Sequence, residues 1–224
     1  MTVDDAIEAL SPQALKMIKN NFVIGLGSGR AATVIVKLLS QYIKKNKFFV
    51  KAIPTSLQIK IEAEKGGIPI IDADQINHID LVFDGADQID AKGNMIKGGG
   101  GALLREKILI SIAKKVVIVA DESKFVKKLD RSVPVEVHPF ARNTADKQIR
   151  EYGGKPHLRL LERGYPFVTE NGNIILDCNF GQIHNPKELA SKIIGIPGVI
   201  EVGIFPKPDI IYKTRKNGKY EIIR

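Results

Sequence analysis

Short apolar runs alternate with amphipathic segments along the first 120 residues of the chain. Strand-like runs occur at residues 22–24, 48–53, 79–83 and 116–120. Helical periodicity occurs at residues 31–42, 57–65 and 102–113, and a further helix is predicted to begin at Ser11–Pro12 and to end near residue 20. Strands that alternate with helices in this way predict an α/β fold with a doubly wound, Rossmann-like parallel sheet.

The pattern changes after residue 130. Strands are predicted at residues 133–137, 157–161, 166–169, 173–178 and 199–205, and helices at 142–152 and 186–194. A hairpin is predicted across residues 170–173, and another around Asn217–Gly218. We therefore expect a smaller α+β, ferredoxin-like domain at residues 131–206, inserted into a Rossmann-like catalytic domain made of residues 1–130 and 207–224.

Polar residues follow each strand of the predicted parallel sheet. They are Ser28, Thr55 and Ser56, Asp84 and Asp87, and Asp121 and Lys124. Ligands of such sheets bind in the crevice beyond the carboxyl ends of the strands. We expect these side chains to converge there, although they lie far apart in the sequence.

The segment at residues 80–106, DLVFDGADQIDAKGNMIKGGGGALLRE, concentrates residue types that chemistry needs. Its charged candidates are Asp84, Asp87, Lys97 and Glu106. Each alone has an ordinary explanation as a turn cap, a solvated charge or an acid near a helix N-terminus. The four glycines at 98–101 do not, because each costs roughly 0.5–1 kcal/mol relative to alanine in regular structure. Their N–H groups are expected to converge on an anion, and we interpret the segment as a reaction centre.

A second glycine-rich turn, Gly27-Ser28-Gly29-Arg30-Ala31-Ala32, fits the loose dinucleotide pattern G-x-G-x-x-G/A. A dinucleotide site also needs an acidic residue at the end of strand two, where this chain has Pro54-Thr55-Ser56. A Walker loop is excluded because the turn lacks G-K-[ST]. The turn therefore has the size of a site for one phosphate. Backbone N–H groups, the Ser28 hydroxyl and a helix N-terminus would bind this phosphate, and Arg30 could add positive charge.

Composition limits the class of protein. The 224 residues are 44% hydrophobic and 26% charged, which is ordinary for a globular protein. Apolar runs are too short for a membrane span and the N-terminus is acidic, so we expect a cytoplasmic protein without membrane association. The net charge of +9 is spread over scattered lysines, and tryptophan is absent. We expect a solvated surface that steers an anionic substrate, and no nucleic-acid partner.

The metal-binding and thiol residues give no sign of a metal centre. The four histidines lie far apart in the sequence and share no ligand spacing. Carboxylates of the DGADQID segment could hold magnesium, but a nearby lysine and the glycines favour an anion instead. The single cysteine, Cys178, lies in a strand-like run, so we expect a core or surface thiol and no internal disulfide.

Five segments together resemble the A-type ribose-5-phosphate isomerase family: GLGSG, DGADQID, MIKGGGGALLREK, VVIVADESK and VPVEV. They occur in the family's order and at similar spacing, and the resemblance covers essentially the whole chain. It implies an aldose-ketose isomerase of the pentose phosphate pathway that interconverts ribose 5-phosphate and ribulose 5-phosphate through a cis-enediol(ate). It also implies that no cofactor or metal is required, and that the chain forms a homo-oligomer, with dimer and tetramer left open.

The resemblance assigns roles to individual residues. Glu106 matches the catalytic base, and Asp84, Asp87 and Lys97 match further catalytic residues. Lys124 matches a substrate-binding lysine, and residues 28–31 match the substrate-binding loop. The implied substrate-binding set is Ser28, Gly29, Arg30, Ala31, Asp84, Gly85, Ala86, Asp87, Lys97, Gly98, Gly99, Gly100 and Lys124.

One departure from the family pattern concerns the phosphate loop. The family reads close to G-T-G-S-T-A, whereas this chain has Gly27-Ser28-Gly29-Arg30-Ala31-Ala32. Ser28 keeps a hydroxyl, but Arg30 and Ala31 replace two hydroxyl residues. Arg30 could act as a cationic contact or point to solvent.

Two alternatives of other kinds stay open at this stage. One is a sugar-phosphate sensor that keeps the phosphate loop without turnover, although Glu106, Lys97 and both aspartates argue against it. The other is an enzyme on a related scaffold, such as an amino-sugar phosphate deaminase or an acyl-CoA transferase with a glutamate nucleophile.

Overall fold

The computed structural model describes residues 7–8, 13–215, 217 and 219–224. The predicted helix start at Ser11–Pro12 lies outside these residues, as does Gly218 of the predicted terminal turn. The chain forms two compact units. The first consists of Met1–Ala86, Arg105–Lys124 and Pro208–Arg224, and the second of Asp87–Leu104 and Phe125–Lys207. Residues 87–104, 125–130 and 207, which the sequence prediction assigned to the catalytic domain, thus belong to the second unit.

Thirteen strands and five helices are used below. The strands are β1 Val23–Leu26, β2 Lys51–Pro54, β3 Leu81–Asp84, β4 Gln88–Ile89, β5 Met95–Ile96, β6 Val116–Asp121, β7 Val133–Val137, β8 Lys155–Leu158, β9 Ile174–Asn179, β10 Val199–Val202, β11 Ile204–Phe205, β12 Ile210–Thr214 and β13 Tyr220–Ile223. The helices are α1 Arg30–Asn46, α2 Leu57–Lys65, α3 Leu103–Ser111, α4 Arg142–Glu151 and α5 Pro186–Ile194.

The first unit contains a six-stranded sheet in the order β13-β12-β6-β3-β1-β2. All neighbours are parallel except β13, which pairs antiparallel with β12. β1 lies between β2 and β3. The next strand in the sequence, β2, is therefore on one side of β1, and the strand after it, β3, is on the other side. The junction of β1 and β3 is the topological switch point at which such sheets bind ligands. The predicted Rossmann-like parallel sheet is confirmed.

Apolar side chains cover both faces of this sheet. On one face α1 buries an apolar stripe that includes Ile35, Leu39 and Ile43, as the 3.6-residue period requires. On the other face Val82 of β3 packs with Leu109 of α3. A side chain on Gly25 of β1 would place its Cβ 2.7 Å from Val82 and 3.3 Å from Leu109, so glycine permits this close packing.

The second unit has the element order β7-α4-β8-β9-α5-β10. Its four strands form an antiparallel sheet in the order β10-β7-β9-β8, which is the ferredoxin-like arrangement. A separate apolar cluster, with Val135, Ile149 and Ile193 fully buried, forms its core. The predicted ferredoxin-like fold is confirmed. Cys178 is buried in this core, and burial raises the pKa of its thiol, as expected of a packing residue.

The strand predicted at residues 199–205 is divided in the structure. β10 pairs with β7, whereas β11 pairs with β5 in a three-stranded sheet of order β11-β5-β4 that was not predicted. Gly203 stands between them, and a Cβ there would lie 2.4 Å from the carbonyl oxygen of Lys97. The chain therefore changes sheets at a point where only glycine fits.

The strand predicted at residues 166–169 is wrong: this stretch makes only isolated bridges, Leu160 with Pro166 and Val168 with Ile174. The turn predicted across residues 170–173 is present, since Thr169 N donates to Asn173 O at 2.8 Å, but the continuous ladder on this side of β9 is formed with β8. Side-chain hydrogen bonds hold the turn that follows. The buried Oε1 of Glu136 accepts from Thr169 Oγ1 at 2.9 Å, Asn171 Nδ2 at 3.0 Å and Asn173 Nδ2 at 2.9 Å.

In the part of the chain that the structure describes, no helix has the length and apolar character needed to cross a membrane.

The carboxylate of Asp80 joins β1 to the segment before β3. It accepts hydrogen bonds from Val23 N at 2.9 Å and from Lys114 Nζ at 2.8 Å. Burial raises the pKa of Asp80, but the bonds from Lys114 and Val23 outweigh this effect and hold the pKa below its ordinary value. The ionised group therefore stabilises the fold above its unfolded-state pKa, and this contribution is lost as pH falls through the folded-state pKa.

We expect Asp80→Asn to lower the free energy of unfolding by about 1–3 kcal/mol at pH 7, because it removes a charge-assisted hydrogen bond. Urea denaturation at pH 7 and pH 3 measures the effect, and the deficit should shrink at pH 3. Asp146→Asn is the control, since it removes an exposed pair with Arg150 and should change stability less. A deficit of equal size at both pH values contradicts the assignment.

Candidate active site

The glycine-rich turn after β1 leads directly into α1. Gly29 has φ 95°, a left-handed value that favours glycine. The first turn of α1 holds no acidic residue, so no carboxylate within that turn offsets the positive end of the helix dipole. Arg30 is exposed at the start of this helix. The turn therefore has the features of a site for one anionic group, as the sequence predicted.

Three hydroxyl groups meet beyond β1 and β2. Ser28 Oγ lies 2.8 Å from Thr55 Oγ1 and 2.8 Å from Ser56 Oγ. Ser56 also caps α2, accepting a hydrogen bond from Ile59 N at 3.4 Å. Because β1 and β2 are parallel neighbours, their carboxyl ends bring these hydroxyls together. The predicted convergence of Ser28, Thr55 and Ser56 is confirmed.

Asp84 ends β3 and is fully buried. Its Oδ1 accepts a hydrogen bond from Gly85 N at 2.7 Å. A Cβ on Gly27 would lie 2.0 Å from the carboxylate carbon and from Oδ1 of Asp84. Gly27 N also donates to Phe83 O at 2.8 Å, which keeps the two strand ends together. The glycine of the turn is thus required because the Asp84 carboxylate occupies the space that any side chain would need.

Glu106 lies in the first turn of α3 and is 4% exposed. Its Oε1 accepts a hydrogen bond from the backbone N–H of Ser28 at 3.3 Å. Ser28 is therefore bonded to Glu106 through its main chain and to the hydroxyl cluster through its side chain. This places the candidate base beside the candidate phosphate turn, in the same unit as Asp84.

Other predicted residues of the first unit lie around this centre. Ala31 packs near Gly85, where an added Cβ would lie 3.3 Å from the Ala31 methyl group. Lys124 is half-buried in a short 3₁₀ helix, Glu122–Lys124, that follows β6. Asp121, at the end of β6, accepts hydrogen bonds from the main chain and side chain of Ser123. Its carboxylate therefore caps a turn, which is the ordinary role.

Lys97 belongs to the second unit and directly follows β5. It is 3% exposed, and its Nζ lies 5.4 Å from the ring centroid of Phe205. Its backbone N–H donates to Gly203 O at 3.0 Å. The charge of a lysine on an aromatic face within about 6 Å is stabilised by the ring quadrupole. Lys97 is therefore a held, buried cation and not a solvated surface charge.

The four glycines that follow Lys97 adopt an unusual backbone conformation. Gly98 has φ 102° and Gly101 has φ 81°. Two of their N–H groups are used within the unit: Gly99 N donates to Asp87 Oδ2 at 2.8 Å, and Gly101 N donates to Gly98 O at 3.0 Å. The predicted convergence of these N–H groups on an anion is wrong for Gly101, whose N–H bonds a carbonyl of the same loop, whereas the N–H of Gly99 does meet a carboxylate, that of Asp87. The loop instead holds the carboxylate of a predicted site residue.

The described residues contain no group of three or more histidine, cysteine, aspartate or glutamate side chains placed to hold a metal ion.

Comparisons of the sequence and of the structure with known proteins identify the same family. The family model described as ribose 5-phosphate isomerase A (phosphoriboisomerase A) matches residues 51–218. The ribose-5-phosphate isomerase A of Methanosarcina acetivorans is 42% identical over 211 residues, which cover 94% of this chain and 90% of that protein. The ribose-5-phosphate isomerase A of Archaeoglobus fulgidus is 44% identical over 197 residues, which cover 87% of each.

Solved structures agree with the whole fold. Ribose 5-phosphate isomerase A from Methanocaldococcus jannaschii superposes with a TM-score of 0.94 at 36% identity, and the match covers 100% of both chains. A D-ribose-5-phosphate isomerase in complex with phospho-erythronic acid superposes with a TM-score of 0.95 at 35% identity, again over 100% of both chains. The chain therefore belongs to the ribose 5-phosphate isomerase A family.

Proposed function

We propose that this chain interconverts D-ribose 5-phosphate and D-ribulose 5-phosphate through an enediol(ate), with Glu106 as the general base and without a cofactor or metal. The observation that carries the proposal is the buried Glu106 carboxylate, bonded at 3.3 Å to the Ser28 N–H of a turn suited to phosphate. A family relative of matching fold is in complex with phospho-erythronic acid.

The reaction needs one base that serves two neighbouring carbons. Glu106 would take the proton from C2 of the open-chain aldose and return it to C1, while a proton passes from the C2 hydroxyl to the carbonyl oxygen at C1. The carboxylate is regenerated in each cycle, so no net proton is consumed. A general base positioned in this way contributes roughly 10²- to 10⁴-fold to the rate.

The remaining site residues take supporting roles in this proposal. Asp84 would assist the opening of the sugar ring, and Asp87 would orient substrate hydroxyls. Lys97 would stabilise the negative charge that develops on the enediolate oxygen, because a preorganised cation in a buried site needs little reorganisation. The turn at residues 28–31 would bind the phosphate, with Lys124 as a further contact to the substrate.

We expect Glu106→Gln to lower kcat by roughly 10²- to 10⁴-fold with little change in substrate binding, because glutamine keeps the shape and an acceptor for Ser28 N–H but is not a base. The measurement is conversion of ribose 5-phosphate by EDTA-treated protein, together with substrate affinity by calorimetry. Glu151→Gln, at the exposed end of α4, is the control and should keep wild-type activity.

The outcomes of this experiment separate the alternatives. A Glu106→Gln variant with near wild-type turnover assigns the base to another carboxylate. Wild-type protein that binds ribose 5-phosphate tightly without converting it supports a sensor and contradicts the proposed function.

We expect Gly27→Ala to reduce kcat/KM by about 100-fold or more, because the new methyl group displaces the Asp84 carboxylate and a shift of about 1 Å is costly in an active site. Steady-state kinetics on folded protein, verified by circular dichroism, measures the loss. Gly195→Ala is the control, since the nearest atoms to its added Cβ lie at 3.5 and 3.7 Å. Full activity of Gly27→Ala shows that Asp84 tolerates displacement and does not act as proposed.

Arg30→Ala tests whether this residue replaces the hydroxyls that other family members carry. If Arg30 contacts the phosphate, the KM for ribose 5-phosphate should rise about tenfold, more steeply at low salt than at high salt, with kcat nearly unchanged. Lys37→Ala, on the exposed face of the same helix, is the control. Unchanged affinity assigns phosphate binding to Ser28 and the backbone N–H groups alone.

A further inference from the structure

Arg159 directly follows β8 and is held firmly by Asp177 of β9. Its Nε donates to Asp177 Oδ2 at 2.8 Å and its Nη2 donates to Oδ1 at 2.5 Å. The guanidinium carbon also lies 5.7 Å from the ring centroid of Phe167. Only 15% of the arginine side chain is exposed. A two-bond arginine–carboxylate pair fixes the plane of the guanidinium group as well as its position.

The remaining guanidinium nitrogen reaches the glycine loop. Arg159 Nη1 donates to Gly98 O at 2.9 Å and to Gly99 O at 3.0 Å. These carbonyls belong to consecutive peptide groups, so one charged nitrogen sets the orientation of both. β8 and β9 already form a regular antiparallel ladder without this contact. The bonds from Arg159 to the loop are therefore not needed for the pairing of β8 and β9.

The peptide group between Gly98 and Gly99 is held at both ends. Its carbonyl accepts from Arg159, and its N–H donates to Asp87 Oδ2 at 2.8 Å. Rotation of this peptide would break both bonds at once. Gly98 has φ 102°, and a glycine backbone has many other accessible conformations, so an external restraint is needed to select this one. Arg159 thus acts on the position of the Asp87 carboxylate through a single peptide plane.

The next peptide group has a different property. The carbonyl of Gly99 faces Arg159, and because the peptide is trans, the N–H of Gly100 points the opposite way. A Cβ on Gly100 would meet no atom within 4 Å, and its φ is not in the left-handed region. Among the described residues, neither a close contact nor a left-handed φ requires glycine at this position. A glycine without a structural reason is expected where a ligand approaches the backbone closely.

We propose that Arg159, fixed by Asp177, is a positioning residue for the isomerase reaction. It holds the glycine loop so that the Asp87 carboxylate and the Gly100 N–H are oriented toward substrate oxygens before the substrate binds. Its positive charge on two carbonyls also polarises these peptides and strengthens their N–H donors. The inference rests on the proposed function and deepens it, because it names the group that preorganises the loop.

The test compares Arg159→Ala and Arg159→Lys with the wild type and with Arg150→Ala. Arg150 is a matched control: it bonds Asp146 through Nε at 2.7 Å in the same unit, and its bond to a carbonyl goes to Pro156 O at 3.5 Å and not to the glycine loop. We expect Arg159→Ala to lower kcat about 10- to 100-fold with a much smaller change in KM, Arg159→Lys to be intermediate, and Arg150→Ala to match wild type. Inhibition by phospho-erythronic acid should weaken in parallel with kcat/KM.

Rescue in solution distinguishes positioning from a general loss of structure. Millimolar methylguanidinium should restore several-fold of the lost kcat in Arg159→Ala, because it can occupy the vacated site beside Asp177. It should not restore Glu106→Gln, which lacks the base. A folded Arg159→Ala variant with wild-type kcat, or one with a normal kcat and raised KM alone, overturns the inference.

If Arg159→Ala does not fold, Arg159→Lys and Asp177→Asn decide the matter. Both retain a polar group at the site, and a reduced kcat with nearly unchanged KM in these variants supports the inference. Wild-type kcat in both overturns it. Wild-type protein without isomerase turnover contradicts the proposed function itself, whereas an active wild type with fully active Arg159 variants contradicts only the role of Arg159.

Discussion

The geometry of the first unit depends on one close approach, between the backbone of Gly27 and the carboxylate of Asp84. Two parallel strands end side by side, and a buried charged group fills the place where the turn after β1 would carry a side chain. Gly27 must therefore lack a Cβ so that the turn can lie against Asp84. This contact sets the position of Ser28, which comes just before α1. The Ser28 N–H donates to Glu106 at 3.3 Å, so the strand ends set the position of a hydrogen-bond donor to the candidate base.

Each unit positions a carboxylate with a backbone N–H. Glu106 accepts from Ser28 N in the first unit, and Asp87 accepts from Gly99 N in the second. A backbone donor loses less freedom than a long side chain when it is held in place, so it positions the acceptor more accurately. The two donors are stabilised differently. The sheet holds the Ser28 peptide, whereas an arginine must hold the glycine loop from outside.

The sequence allowed much of this to be predicted, because periodicity and strand ends carry local signals. Alternating strands and helices indicated the parallel sheet, and the rule that ligands bind beyond strand ends brought Ser28, Thr55 and Asp84 together. Side-chain chemistry and family resemblance made Glu106 the candidate base. The predicted strand at residues 166–169 is not continuous, and three side-chain donors at residues 169–173 bond to one buried carboxylate, Glu136, a contact that no local pattern reveals.

The contacts of Arg159 could not be predicted from the sequence, for a related physical reason. Its partners in the loop are carbonyl oxygens, which every residue possesses, and the bond to Gly98 spans 61 residues. The only local sign of the contact lies in the loop that Arg159 bonds. That loop has four glycines, and its backbone geometry does not require all of them. Gly98 and Gly101 have positive φ, and Gly99 lies against Asp87, but a Cβ on Gly100 would meet no described atom within 4 Å. In the proposed mechanism Arg159 supplies the restraint on this loop, and the close approach of a substrate to the backbone accounts for Gly100.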